Sequence, residues 1–230
     1  MRAGFFTDLI GYTLLQSYVL AYVIGAIVKG LSSLLDGSSL RVVSDWPVWV
    51  QVIAFLISHD FYIYWFHRWQ HHSPLLWRIH EAHHSVRDVD WLAGSRSHAF
   101  EILINQTIEF LPMALLGAPA EVAVLKGMID AVWGMYIHSN VNVRTGWLQY
   151  CINGPEMHRW HHAIEITEGG INFGTKLAVW DWLFGTARLP GQKPAGYGLS
   201  GVDFPRGYLR QFLYVFHTER ETTPEAHIPR

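Results

Sequence analysis

Histidines are crowded into residues 59–84, and this stretch constrains the fold and the chemistry of the chain more than any other. It contains seven of the fourteen histidines. Two sets within it have helical spacing: His67 and His71, then His80, His83 and His84. Residues three or four positions apart lie on the same face of a helix. Each set therefore predicts a helix with imidazoles along one face.

A third set, His158, His161 and His162, repeats the i, i+3, i+4 spacing far downstream. A single histidine in an apolar stretch is usually a core residue, but that interpretation does not explain eight histidines in three helical sets. Neutral imidazole is the commonest side-chain metal ligand, and burying imidazoles without partners costs free energy. The three sets together therefore predict a metal centre.

The three sets narrow the choice of metal without deciding it. They lack the cysteines and acidic clusters of soft-metal and calcium sites, and eight imidazoles exceed the needs of one ion, which favours two. Zinc is saturated by three or four histidines and would support hydrolysis, whereas redox-active irons would support oxygen chemistry. Imidazole suits both metals, so the ligand type leaves both open.

The composition indicates a membrane protein. Hydrophobic residues make up 50% of the chain and charged residues 16%, and there are eleven tryptophans, a pattern typical of proteins with two membrane interfaces. The net charge of -2, without a basic block, gives no indication of a nucleic-acid partner. The single cysteine, Cys151, excludes an intrachain disulfide and a thiolate metal site.

Two long apolar runs precede or contain the first histidines. Residues 9–28 are uncharged and number about the 20 that a helix needs to cross a bilayer. A signal peptide is the competing interpretation, but no small-x-small cleavage site closes the run. The second run, residues 46–66, leads directly to His67, and Ser73-Pro74 then ends that helix.

Two weaker apolar runs, residues 100–116 and 120–139, flank a turn at Gly117-Ala118-Pro119. They contain charges, of which Lys126 and Asp130 have the i,i+4 spacing of an ion pair. All four runs predict an all-α integral membrane protein with about four transmembrane helices in two hairpins. Arginines are concentrated at the histidine-bearing ends, and the positive-inside rule therefore predicts that these ends are cytosolic. We expect a cytosolic helical cap that carries a histidine di-metal site. The membrane is expected to be a bacterial inner membrane or an ER-type membrane.

Several motifs together resemble the fatty acid hydroxylase/sterol desaturase superfamily of membrane di-iron oxygenases. They occur between His59 and Thr186 in the family's order: HDFYIYWFHRWQH, LWRIHEAHHS, RSHAFE, IHSNV, PEMHRWHH, NFG and WDWLFGT. The resemblance implies a single domain over residues 1–230 with its motif-bearing core at about 50–190.

The resemblance also implies which residues ligate two non-haem irons: His67, His71, His80, His83, His84, His138, His158, His161 and His162. Some members carry a further histidine one helical turn before the His138 position, where this chain has Gly134. His98 is therefore a further candidate ligand, and the alternative is an open position at one iron.

Four other residues are expected to support these ligands. Asp60 is placed to accept an N–H from a ligand imidazole and so fix its tautomer, and His59 is a possible partner beside it. Asn172 and Asp181, in the last two motifs, are expected to bind histidine N–H groups. A capped turn that packs the cytosolic helices explains Asn172 and Asp181 equally well.

The function that the resemblance implies is O2-dependent hydroxylation or desaturation of an unactivated C–H in a lipid: a sterol or other isoprenoid, a fatty acyl chain or an ether lipid. No cytochrome b5-like, flavin or ferredoxin sequence is visible, so we expect a separate electron-donor protein of cytochrome b5, ferredoxin or reductase type. Two other classes stay open. A membrane zinc hydrolase would want H-E-x-x-H, and the spacing from His80 to His83 is one short. The other class is a non-catalytic haem- or metal-binding membrane protein.

Overall fold

The computed structural model describes residues 2–35, 40–165 and 170–217, and these residues form helices and no strand. The chain begins with a π-helix, Thr7–Gln16. The α-helices that follow are α1 Ser17–Leu34, α2 Val48–His72, α3 Pro74–His84, α4 Ala99–Leu115, α5 Ala120–Ile137, α6 Pro155–His161, α7 Val179–Leu183 and α8 Tyr208–Tyr214. Two 3₁₀ turns, Ala93–Ser95 and Gly146–Tyr150, connect them. The all-helical fold predicted from the sequence is confirmed.

Among the described residues, two helices are long and apolar enough to cross a membrane: the continuous run Thr7–Leu34 and α2. Little of either is buried, and large apolar side chains such as Leu14, Tyr18 and Tyr22 are 58–67% exposed. A contiguous apolar surface of this kind needs an apolar environment or a partner. The first run extends beyond the predicted residues 9–28 at both ends.

The break between α2 and α3 brings the first two histidine sets together. Ser73 is extended (φ -107°, ψ 118°), as expected for a residue before proline. Its hydroxyl caps α3 by accepting a hydrogen bond from the Leu76 amide (3.4 Å), and Pro74 occupies the first helical position. Helix α3 therefore folds back against the end of α2.

Helices α4 and α5 form the predicted hairpin. Gly117 makes the turn with φ +82°, a conformation that favours glycine. Helix α4 packs along α1 and α5 along α2, with a core that includes Phe55, Met113 and Val122. The expected pair of Lys126 and Asp130 is present at 2.6 Å. Helix α4 has only 17 residues and α5 carries these charges, so neither joins the two candidate spans.

The N-terminal helix is fixed to the histidine-bearing end of the bundle. Gly11 lies so close to Tyr208 of α8 that a Cβ there would be 2.7 Å from the tyrosine Cβ. Asp8 is fully buried and accepts two hydrogen bonds from the Arg96 guanidinium, at 2.7 and 3.0 Å. Arg96 belongs to the loop between α3 and α4, so this ion pair connects the first helix to that loop.

Candidate metal centre

Nine predicted ligands converge in two neighbouring groups. The first group is His67, His71, His80, His84 and His161, and the second is His83, His138, His158 and His162. Within each group, one potential ligand atom per residue lies within 4.8 Å of all the others. Helix α3 contributes His80 and His84 to the first group and His83 to the second. Helix α6 contributes His161 to the first group and His158 to the second, and His162 follows it.

The imidazoles approach one another through their Nε2 atoms. In the first group, Nε2 of His80 is 3.0 Å from that of His67 and 3.1 Å from that of His84. In the second group, Nε2 of His138 is 3.2 Å from that of His83 and 2.9 Å from that of His158. Eight of the nine histidines present Nε2 to their group in this way; His161 and His162 join through Nε2 contacts at 3.0 and 3.2 Å.

Five of the nine rings direct their Nδ1 atoms outwards to oxygen acceptors. The bonds are His67 to Phe173 O (2.8 Å), His80 to Glu101 Oε1 (2.9 Å), His83 to Arg96 O (3.1 Å), His138 to Gly134 O (2.7 Å) and His161 to Ile171 O (2.7 Å). A carbonyl or carboxylate oxygen only accepts, so each Nδ1 carries the proton and each neutral ring keeps a lone pair on Nε2. Lone pairs facing one another at about 3 Å are repulsive unless a cation lies between them. The donor set therefore fits a metal in each group.

Burial keeps these rings in the ligand form. Desolvation, followed by the charge of neighbouring histidines, lowers the pKa of His80 and His84 on α3 well below the usual value. Desolvation likewise lowers the pKa of His158 and His161 on α6 and of His162, the residue that follows this helix. A buried imidazole with a lowered pKa is neutral at physiological pH, and its lone pair is available to a metal.

Asn172 and Asp181 hold the carbonyls that anchor two ligands, which corrects the expectation that their side chains bind histidine N–H groups. Asn172 adopts φ +55°, and its amide donates to Met157 O (2.9 Å) and Arg188 O (2.8 Å). Its chain neighbours, residues 171 and 173, supply the acceptors for His161 and His67.

Asp181 fixes the same segment from the other side. Its carboxylate accepts hydrogen bonds from the amides of Phe173 (2.7 Å) and Gly174 (2.8 Å) and from the hydroxyl of Thr186 (2.7 Å). The NFG and WDWLFGT motifs thus form one unit that presents backbone oxygen to the first histidine group.

Asp60 also differs from its expected role. Its buried carboxylate accepts from Thr175 Oγ1 (2.7 Å), the amides of Lys176 (2.9 Å) and Leu177 (3.0 Å) and Trp180 Nε1 (3.0 Å). These bonds connect α2 to residues 175–180, and no ligand imidazole is among the partners found in the described part of the chain.

His59 lies in a polar cluster away from both groups. Together with Glu109 and Asp130 it forms a third arrangement of potential metal ligands. The ammonium of Lys126 already lies there, 2.5 Å from Glu109, 2.6 Å from Asp130 and 3.1 Å from His59 Nδ1. A lysine therefore supplies the cation at this place.

His98 lies outside both histidine groups. It caps α4, where its Nδ1 accepts from the Phe100 amide (3.2 Å) and its Nε2 donates to Phe212 O (3.0 Å). Both ring nitrogens are engaged with backbone groups, so we leave His98 out of the ligand set. Gly134 has open space where a side chain would lie, and its carbonyl anchors His138.

Comparison with known proteins places the chain in a family. The model of the fatty acid hydroxylase family matches residues 52–186. The chain belongs to the fatty acid hydroxylase family. No solved structure matches it.

Three relatives with named activities are similar to this chain. The ornithine lipid hydroxylase OlsE of Rhizobium tropici is 36% identical over 75% of the chain and 52% of its own length. Human alkylglycerol monooxygenase is 32% identical over 66% of the chain and 33% of its own length. The very-long-chain aldehyde decarbonylase GL1-8 of Oryza sativa subsp. indica is 29% identical over 61% of the chain and 53% of its own length. The chain thus spans about half or less of each relative.

One acidic residue of this metal centre was not predicted from the sequence. Glu101 is buried in the first turn of α4 and accepts the Nδ1 proton of His80. The available signal was a carboxylate at the start of a largely apolar run, within the RSHAFE motif. The backbone acceptors left no such signal, because every residue has a carbonyl.

Proposed function

We propose that this chain is a membrane-embedded lipid oxygenase that holds two irons in its two histidine groups. The family assignment and the names of two relatives, a lipid hydroxylase and an alkylglycerol monooxygenase, support oxidation of a lipid. The observation that carries the metal part is the common orientation of the imidazoles, with protons on the outward Nδ1 atoms and lone pairs facing inwards.

The number of donors favours iron over a tetrahedral zinc. The first group offers five donors, which exceeds the four of a tetrahedral zinc. When bound, an iron pair supplies the activation of O2 that oxidation of an unactivated C–H requires.

The protein residues bind and orient the metals and keep water away. His83 and His84 are consecutive on α3 and serve different groups, so the helix backbone fixes the separation of the two sites. Glu101 and the carbonyls of Ile171 and Phe173 hold three imidazoles of the first group in one tautomer. In a hydroxylation, one oxygen atom of O2 enters the C–H bond and the other leaves as water. The two electrons come from a separate donor protein of cytochrome b5, ferredoxin or reductase type, and the two protons come from water.

The membrane arrangement that we propose has four embedded segments: Thr7–Leu34, α2, α4 and α5. On α5, Val124, Met128 and Val132 form an exposed apolar stripe, each at least 60% exposed. Its charged residue Lys126 is fully buried and ion-paired, so the outward surface is apolar despite the polar sequence. The histidine-bearing end lies on the cytosolic side, as the positive-inside rule favours.

Ornithine-type lipids are the first substrates to test, because that relative matches 75% of the chain, and alkylglycerols are the second. The test is to supply the purified, iron-loaded protein with lipid, a reducing system and ¹⁸O2, and to measure the product mass. We expect one ¹⁸O atom in the lipid. Oxygen from labelled water, without O2 consumption, would instead support the hydrolase.

A further inference from the structure

Next to the histidine groups lies a cavity of about 240 Å³, here named the charged cavity. Histidines of both groups form one wall, including His67, His83 and His138. The polar and charged residues on the remaining wall include His59, Glu101, Glu109, Asp130, Trp133 and Lys176. This volume is below the roughly 300–1,000 Å³ that encloses a whole drug-sized ligand, so the charged cavity accommodates one end of a lipid.

Among the described residues, several buried polar atoms on this wall have no hydrogen-bond partner. They include His59 Nε2, Trp133 Nε1 and Glu101 Oε2. The side chain of His59 is only 10% exposed. Unpartnered buried polar atoms are uncommon in native proteins and call for a ligand or water.

Two of these atoms are hydrogen-bond donors. The ammonium of Lys126 can only donate, so His59 Nδ1 accepts from it and the ring proton lies on Nε2. The nearest carboxylate oxygen, on Glu109, is 4.0 Å from that Nε2. Trp133 Nε1 also only donates. The ammonium of Lys176 adds a positive charge on the same wall, 3.1 Å from Asp130 Oδ1.

The acceptors are carboxylate oxygens. Asp130 Oδ2 accepts from Lys126, and Glu101 Oε1 accepts from His80. Glu101 Oε2 has no hydrogen-bond partner among the described residues, and Asp130 Oδ1 is ion-paired with Lys176. The charged cavity therefore offers donors and acceptors of both charges, whereas a hydrocarbon chain would leave the unpartnered ones unsatisfied. A head group with an ammonium and a carboxylate satisfies both kinds.

An apolar cavity of about 210 Å³ adjoins the charged one and shares Trp133 and Lys176 with it. Its other lining residues are Ile53, Leu56, Ile57, Ile129, Ile152 and Leu177. Ile53 and Ile57 are nearly half exposed on the outer surface of α2. This cavity is a path for a lipid tail between α2 and α5 towards the hydrocarbon.

We propose that the charged cavity binds the zwitterionic head of an amino-acid-type lipid and that the carbon oxidised lies at this head end, not in the interior of an acyl chain. Asp130 and Glu101 would bind the ammonium, and His59, Trp133 and Lys176 the carboxylate, with the tail in the apolar cavity. This inference rests on the proposed function, since it places the substrate beside the same two histidine groups.

Binding without turnover tests the head-group part directly. The probes are a radiolabelled ornithine lipid and the same lipid with its amine acetylated and its carboxylate methyl-esterified, each added to the metal-loaded protein in detergent. We expect the zwitterionic lipid to bind at least tenfold tighter than the blocked lipid. Equal binding of the two lipids would overturn the proposal.

Substitutions in the charged cavity then test whether this cavity causes the preference for the zwitterionic lipid. Asp130→Asn and Trp133→Phe should each reduce the preference at least threefold, whereas Glu121→Gln, an exposed carboxylate in the first turn of the same helix, should keep it. If Asp130→Asn disturbs Lys126 and fails to fold, Trp133→Phe still tests the proposal. The metal content of each variant shows whether it has folded. Unchanged preference in a folded variant would contradict the assignment.

The position of the hydroxyl in the product tests the head-group inference independently of the proposed oxygenase function. Fragmentation mass spectrometry should find the ¹⁸O in the head-group fragment. A hydroxyl in the interior of the acyl chain would overturn the inference and leave the oxygenase intact. If no lipid gave an O2-dependent product, the oxygenase proposal would fail, and the binding preference would still decide the head-group assignment.

Discussion

The two histidine groups are anchored to different extents. In the first group, three of five rings, those of His67, His80 and His161, donate their Nδ1 protons to oxygen acceptors. In the second group, His83 and His138 do so, whereas the Nδ1 atoms of His158 and His162 have no hydrogen-bond partner among the described residues. The second group has one ligand fewer and contributes three of its four histidines to the charged cavity, against two of five for the first. The group with more anchored rings thus faces the charged cavity less.

This difference implies distinct tasks for the two sites. A well-anchored group retains its metal because little ligand freedom is lost on binding. A group with free ring edges and fewer ligands leaves more of its metal accessible from the charged cavity. We expect the first site to bind metal more tightly and the second to exchange it faster.

Removing a ligand from each group should give the largest contrast. His138 lies at the centre of the second group, in contact with His83, His158 and His162, so His138→Ala should release one metal per chain and reduce lipid oxidation at least 100-fold. In the first group, His71→Ala leaves four ligands and should keep both metals. Metal analysis of the two purified variants measures this contrast, and equal losses would contradict it.

Loosening the anchor of the first group should have the next largest effect. Asp181→Asn weakens the hold on the amides of Phe173 and Gly174, and hence on the carbonyl that orients His67. Outer partners of metal ligands typically contribute about 10–100-fold to affinity. We expect a loss in that range at the tighter site only, measured by titration of the metal-free protein. The exposed Asp88→Asn is the control, and a loss confined to the weaker site would refute the assignment.

The N-terminal helix should influence the second group to a smaller degree. Arg96 accepts the His83 Nδ1 proton through its carbonyl and pairs with buried Asp8 through its guanidinium. Arg96→Lys keeps the charge but loses the two-pronged contact, so the second site should bind metal several-fold more weakly. The same titration reads this out, with the first site as internal reference. A uniform loss at both sites would indicate a general folding defect.

His98→Ala should have the smallest effect on the metals. The variant removes a cap of α4 and the bond to Phe212 O, and a lost cap costs about 1 kcal/mol of stability. We expect a slightly lower unfolding temperature and two metals per chain. Loss of one metal would restore His98 to the ligand set.

Much of this arrangement was predictable from local spacing. The i, i+3, i+4 sets fixed which histidines share a helical face, and Ser73-Pro74 marked the point where α2 and α3 separate. The hairpin at Gly117 and the pair of Lys126 and Asp130 followed from the same kind of short-range pattern.

The division of the ligands and the roles of their supports were not predictable. His83 and His84 belong to different groups because α3 lies between the two groups. Only tertiary packing determines this position of the helix. Asn172 and Asp181 act through backbone carbonyls, which carry no mark in the sequence. His98 is occupied by Phe212 of α8, a helix more than a hundred residues away.

If two irons occupy the two histidine groups, the wild-type protein carries both, so its metal content is the decisive measurement. The protein should be produced with iron and zinc both available, purified in detergent and analysed for metals per chain. We expect two irons per chain. One metal per chain, or two zinc ions with O2-independent activity, would contradict it.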